Sequence, residues 1–200
     1  MTVLLETILG IGMALVMAKD FHGRGLLRAA VLVPWAIPTA ITAKLWAFLF
    51  SEQGIVNSIF HAHVAWQTDP WAARFSIILA DVWKTTPFMA LLILAGLQMI
   101  PKDLYEAARM DGANAWQRFT RITLPLAKNS IIVAVLFRML DALRMYDLPY
   151  IMVGPNPDSP TATLSQLVVA AIRQDHVNAA SALSTLIFLL IFLIALCFVK

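Results

Sequence analysis

This chain predicts an all-α integral membrane protein, a polytopic helical bundle. Its composition, the layout of its apolar runs and the placement of its basic residues carry that reading. Of 200 residues, 60% are hydrophobic and 14% charged, and mean hydropathy is +0.76. Soluble domains run at about 45–50% apolar and about 25% charged. At about 20 apolar residues per crossing, the chain supplies roughly five spans and little else. A large soluble catalytic domain, a disordered regulator and a disulfide-built module are excluded. Cys197 is the single cysteine, so no intrachain disulfide forms. The net charge of +3 does not point to nucleic acid, because the basic residues punctuate the apolar runs.

Five apolar stretches, 2–18, 26–50, 75–100, 129–153 and 181–199, read as spans of one transmembrane domain covering residues 1–200. The first carries Glu6 and is followed by Lys19 and Asp20. It has no basic leader and no small-residue cleavage site, so it reads as a span and not a signal peptide. It is short and begins at the first residue, as expected of a chain that starts partway into a larger protein. The second holds Pro34 and Pro38, which are expected to kink it, and Lys44. In the third, Asp81 and Lys84 stand three apart and can pair on one helix face. The fourth places Arg138, Asp141, Arg144 and Asp147 at steps of three. They form a slanting ribbon of alternating charge that belongs in a bundle interior.

Orientation follows from lysine and arginine in the connections. Lys19, Arg24, Arg28, Lys102, Arg109, Arg118, Arg121, Lys128 and Lys200 fall on one side, and only Arg74 and Arg173 on the other. The rich side is expected in the cytoplasm, with the N-terminus of this chain outside and its C-terminus inside. Segment 51–74 carries Trp66 and Trp71 beside polar residues, an interfacial texture. Segment 154–180 opens with a run of turn formers, followed by a helical apolar pattern over 164–172, too short to span.

The connection 101–128 holds the most specific signal. Asp103 with Glu106 has the spacing of a capping box, and Gly112 sits where a left-handed residue ends a helix. Asn114 with Gln117 repeats the cap and opens a second short helix. Trp116, Phe119 and Ile122 line one face of it, and Pro125 follows soon after as a stop. The expected product is a helix–glycine–helix hairpin presenting an aromatic knob.

Glu106-Ala107-Ala108, then Gly112 after three residues, Ile122 after nine and Leu124-Pro125 after one, matches the EAA loop of binding-protein-dependent ABC importer permeases in full. The stretch 83–125 resembles the carbohydrate branch, and the maltose- and trehalose-type permeases in particular. Weaker similarity reaches 54–60, 145–164 and 179–184. The resemblance implies a six-span core with this loop between the fourth and fifth spans. It lies here between the third and fourth, as if the first span were missing. It also implies an ATP-driven importer subunit for a sugar, a disaccharide such as trehalose or maltose, in the cytoplasmic membrane. The implied partners are two cytoplasmic ATPase subunits that bind ATP and Mg, a second and different permease, an extracellular sugar-binding protein and the lipid bilayer. The coupling residues it implies are Glu106, Ala107, Ala108, Gly112, Trp116, Phe119, Leu124 and Pro125.

The chain itself has no G-x-x-x-x-G-K-[ST] run, so no phosphate-cradling loop and no catalytic or cofactor site is expected in it. His61 and His63 form an H-x-H with too few neighbouring ligands for a metal. Asp81, Trp83, Asp141 and Tyr146 are candidates for a sugar path, because carboxylates accept hydroxyl protons and aromatic faces stack on sugar rings. The rival is an ion-coupled secondary transporter using the buried charges as a proton relay. It leaves the EAA loop unexplained and expects two homologous halves.

Overall fold

The computed structural model describes residues 1–61, 63–155, 159 and 161–199. Lys200 and most of the turn-former run after Gly154 lie outside the described residues. Helices α1 (Thr2–Met17), α2 (Arg24–Ala36), α3 (Thr39–Leu49), α4 (Ile55–Phe60) and α5 (Pro70–Gln98) come first. Then follow α6 (Lys102–Met110), α7 (Ala115–Arg118), a π-helical turn at Phe119–Thr123 and α8 (Leu124–Leu143). The chain ends with α9 (Asp147–Val153), α10 (Leu164–Arg173) and α11 (Val177–Val199).

Among the described residues, three helices are long and apolar enough to cross a membrane: Pro70–Gln98, Ala115–Leu143 and Val177–Phe198. The second stretch, expected as one kinked span, forms two helices with a break between Ala36 and Thr39. Pro34 stays inside α2, while Pro38 caps α3. Pro38 constrains the residue before it away from helical backbone, so the break falls there. The first stretch forms a helix of 16 residues, shorter than these. The fourth stretch is corrected as well. Its helix ends at Leu143, and Asp147 opens a separate short helix. Arg144 and Asp147 therefore do not continue a ribbon on one span.

The chain folds as two compact units. The first comprises Met1–Thr2, Ala36–Lys84 and Met139–Lys200. Its core is Ala43, Phe50, Ile77, Ala80, Leu148 and Met152, where α3 packs on α9; α10 packs on α11. Lys84 is buried, and its Nζ donates to the Ile37 carbonyl at 2.6 Å. That carbonyl lies in the break before Pro38 and has lost its helical partner, so the ammonium satisfies it. Trp46, Phe50, Trp66 and Phe75 run as a chain of ring contacts, 4.9–6.2 Å between successive centroids. Trp66 Nε1 donates to Asn57 Oδ1 at 2.7 Å, which ties this half-buried indole to α4.

The second unit comprises Val3–Trp35 and Thr85–Arg138. Ala14, Met17, Met89, Ala90, Ile93, Leu94 and Ala134 form its core. Small residues let the helices approach closely, as apolar membrane helices require. A Cβ on Gly96 would stand 2.2 Å from Ser130 Oγ, so α5 and α8 meet there at glycine contact. Glu6 and Arg138, 0% and 1% exposed, close on each other at its centre. Arg138 Nε donates to Glu6 Oε2 at 2.5 Å and Nη2 to Oε1 at 3.0 Å. Thr85 Oγ1 adds a third bond to Oε1 at 2.8 Å. Glu6 is thus a carboxylate partner of Arg138 that the step-of-three spacing of the fourth stretch does not reveal.

Candidate functional site

The hairpin belongs wholly to the second unit. Its first helix does not start as the sequence suggested: Pro101 is the N-cap, and Asp103 lies in the first helical turn. Proline's fixed φ pre-sets the helix start, so the Asp103–Glu106 box does not form. Asp103 instead places negative charge at the positive end of the helix. The end of α6 is a Schellman turn. Gly112 N–H donates to the Arg109 carbonyl at 3.0 Å and Ala113 N–H to the Ala108 carbonyl at 2.9 Å, with Gly112 at φ +78°. Asn114 and Gln117 then close a reciprocal box, each side chain bonding the other's N–H at 2.8 Å.

Trp116 is 69% exposed and rests against Phe119, ring centroids 5.6 Å apart. Glu106, Ala107, Leu124 and Pro125 are also exposed, and Ala108 is half-buried. A cavity of about 310 Å³ opens in the elbow, lined by Ala108, Gly112, Gln117, Arg118, Arg121 and Ile122 among others. Arg118 Nη1 donates to the Ala113 carbonyl at 2.7 Å, and Tyr105 and Thr123 hydroxyls meet at 3.0 Å, which brace the elbow. Pro125 does not stop the helix. The backbone widens through the π turn, with Leu124 N–H bonded to the Phe119 carbonyl five residues back. Proline then falls in the first turn of α8, where its missing N–H costs least. The knob and α8 are therefore one continuous helix from Ala115 to Leu143.

Gly112→Val tests the elbow directly. Nothing lies within 4 Å of a Cβ there, so the cost is backbone strain alone, at least about 1–2 kcal/mol for a left-handed residue. The variant is expected to insert normally and to show weakened ATPase coupling. Wild-type transport in reconstituted vesicles would count against a functional elbow.

The four sugar-path candidates lie in the first unit. Asp81 is buried, Trp83 is 37% exposed, Asp141 is exposed and Tyr146 half-buried. Lys84 feels the charges of both Asp141 and Asp81. Trp83 meets Trp46 edge-on at 5.7 Å. Trp46 Nε1 and the fully buried Thr42 Oγ1 have no hydrogen-bond partner among the described residues. Sequence reasoning missed this pair; one turn apart on α3, they were legible only as apolar helix spacing. Tyr146 stacks on Tyr150 at 5.0 Å, away from this group as far as direct ring contacts go. Arg173 lies over the Tyr150 ring at 5.4 Å and donates to its hydroxyl at 3.0 Å. With Gln166 they line a cavity of about 150 Å³. His61 and His63 line a shallow cavity with Glu52 and Asn57. Among the described residues no three metal-ligating side chains cluster.

Among the described residues, long apolar helices joined by a capped polar hairpin with an exposed aromatic knob mark a helical membrane protein. Residues 6–200 match the family described as binding-protein-dependent transport system inner membrane component, and the chain belongs to it. It is 45% identical over 204 residues to the trehalose/maltose transport system permease protein MalF of Thermococcus litoralis, covering 100% of this chain and 69% of that protein. It is 39% identical over 201 residues to the trehalose transport system permease protein SugA of Mycobacterium tuberculosis, covering 100% of this chain and 65% of that protein. Among solved structures it resembles a chain of a bacterial ABC transporter importing the acidic polysaccharide alginate. The TM-score there is 0.83 at 25% identity, over 98% of this chain and 75% of that one. A methionine ABC transporter shares the fold, with TM-score 0.65 at 17% identity over 98% of this chain and 86% of that one.

Proposed function

We propose that the chain is the permease subunit of an ATP-driven importer that carries a neutral sugar of the trehalose or maltose class across the cytoplasmic membrane. The observation that carries this is the hairpin of α6 and α7. It is closed by two independent local devices, and it offers an indole that is 69% exposed and rests against Phe119. In this reading the knob seats in a cleft on a cytoplasmic ATPase subunit, with Arg118 and Arg121 as rim charges and Trp116 and Phe119 as anchors. The elbow cavity receives a side chain of that partner. Closure of two such subunits on ATP moves the helix continuous with each knob as a rigid body. A second, different permease and an extracellular sugar-binding protein complete the assembly, and ATP with Mg belongs to the ATPase subunits. The relatives' printed substrates and the aromatic and polar groups of the first unit support a sugar.

We propose that Asp81, Trp83, Asp141 and Tyr146 line the sugar path. Thr42 Oγ1 and Trp46 Nε1 are buried polar groups in want of a partner, and such groups normally have one. A sugar hydroxyl supplies it. Asp141→Asn separates two roles. If Asp141 contacts sugar, assembly and binding-protein-stimulated ATPase activity survive while uptake falls. If it only balances Lys84, assembly and ATPase activity fall together. Unchanged assembly, ATPase activity and uptake would refute both.

The proposed topology puts 19–25 and 101–128 in the cytoplasm and 51–74 and 154–180 outside. With Cys197 replaced, Ala115→Cys is expected to resist an impermeant thiol reagent in intact cells. Strong labelling there would reverse the topology.

A further inference from the structure

Between α1 and α2, inside the second unit, lies an apolar groove of about 390 Å³, lined by Leu9, Gly12, Met13 and Val16 of α1 and by Leu27 and Val31 of α2. The lining runs from Ile8 to Met17, about 13 Å along α1 at 1.5 Å per residue. That volume over that length gives a cross-section of about 30 Å². A groove of that section accommodates an extended hydrocarbon chain. Leu9 and Val16 are half exposed around the notch left by Gly12.

One end of the groove is basic. Arg28, one residue after Leu27, donates from Nη2 to the Met17 carbonyl at 2.7 Å, while its Nε is buried with no hydrogen-bond partner. Lys19 follows α1 at the same end, and Arg24 sits one turn before Arg28. Asp20 accepts from Lys102 Nζ at 2.9 Å and is paired with Arg24. These contacts hold its carboxyl below the usual range, chiefly through the Lys102 hydrogen bond. The cations Lys19, Arg24, Arg28 and Lys102 thus outnumber the one carboxylate that ties two of them.

We propose that this groove is a binding site for one anionic phospholipid. An acyl chain lies along Gly12 and Val16, and the phosphate meets Arg28 and Lys19. Basic pockets between membrane helices suit acidic headgroups, and the acyl chain gives the groove an occupant as apolar as its walls. The site rests on the membrane class of the protein and is independent of the sugar path.

The test uses the assembled transporter purified in mild detergent and titrated with dioleoyl-phosphatidylglycerol or dioleoyl-phosphatidylcholine. Native mass spectrometry reads bound lipid, and Tm reads the shift. Wild type is expected to retain phosphatidylglycerol at least threefold over phosphatidylcholine and to gain Tm with the former only. Gly12→Phe places a ring in the notch, where a Cβ has nothing within 4 Å. It is expected to assemble normally and to lose retention of both lipids at the site. Arg28→Gln and, should that variant misfold, Lys19→Gln are expected to keep the chain but lose the headgroup preference. Equal retention of the two lipids by wild type and Gly12→Phe would overturn the proposal, as bulk lipid would explain it. Failure of Gly12→Phe to assemble would overturn it too, by placing another protein segment in the groove.

Discussion

Glu6→Gln is expected to lower the stability of the second unit by about 3–5 kcal/mol, the cost of breaking a buried ion pair from one side. Against a typical total of about 5–15 kcal/mol, that is enough to impair accumulation in the membrane. The magnitude follows from burial: both side chains are 1% exposed or less, so no water replaces the lost carboxylate. The amide keeps the shape and an acceptor for Arg138 but removes the charge. Replacing both partners, Glu6→Met with Arg138→Met, is expected to cost less than either single change, because neither charge is then left buried without its counter-charge. Thermal unfolding in detergent of the four proteins in the cycle measures the coupling. Additive losses would show that the pair is held apart by solvent and that its apparent geometry contributes nothing.

Trp116→Ala is expected to weaken the complex with the ATPase subunit about 30-fold, from a loss of about 2 kcal/mol for a buried aromatic anchor. Membrane insertion and the fold of the second unit should be unchanged, because the indole is 69% exposed and rests against Phe119. Arg121→Ala, on the rim, is expected to shift affinity little and mainly its salt dependence. Co-purification in detergent at graded salt separates the two. Equal loss from both substitutions would mean that contact is electrostatic and that the aromatic knob is not the anchor.

Local rules made the hairpin readable. Gly112 has to be glycine at positive φ, and Asn114 and Gln117 need only each other. The same kind of rule failed at Asp103, because Pro101 two residues earlier had already started the helix. Pro34 and Pro38 are chemically alike, yet one rides inside α2 and the other breaks the stretch. Which one breaks it depends on whether a donor waits for the freed carbonyl, and Lys84, far along the chain, is that donor. The break after Leu143 carries no glycine or proline at all, and composition alone cannot mark it. Glu6 was legible as an oddity in an apolar run, but its partner was not. Pattern reading finds neighbours three or four residues apart, and this guanidinium stands 132 residues away.

That distance sets a timetable for biogenesis. A ribosome adds about 5–20 residues per second, so Glu6 leaves it roughly 7–26 s before Arg138. Throughout that interval α1 carries a carboxylate whose counter-ion has not been synthesised. Its native seat between α5 and α8 cannot close until most of the chain has emerged. Helix α1, made before α5 and α8, thus settles only after both, and translation pauses upstream of Arg138 prolong its exposure to quality control.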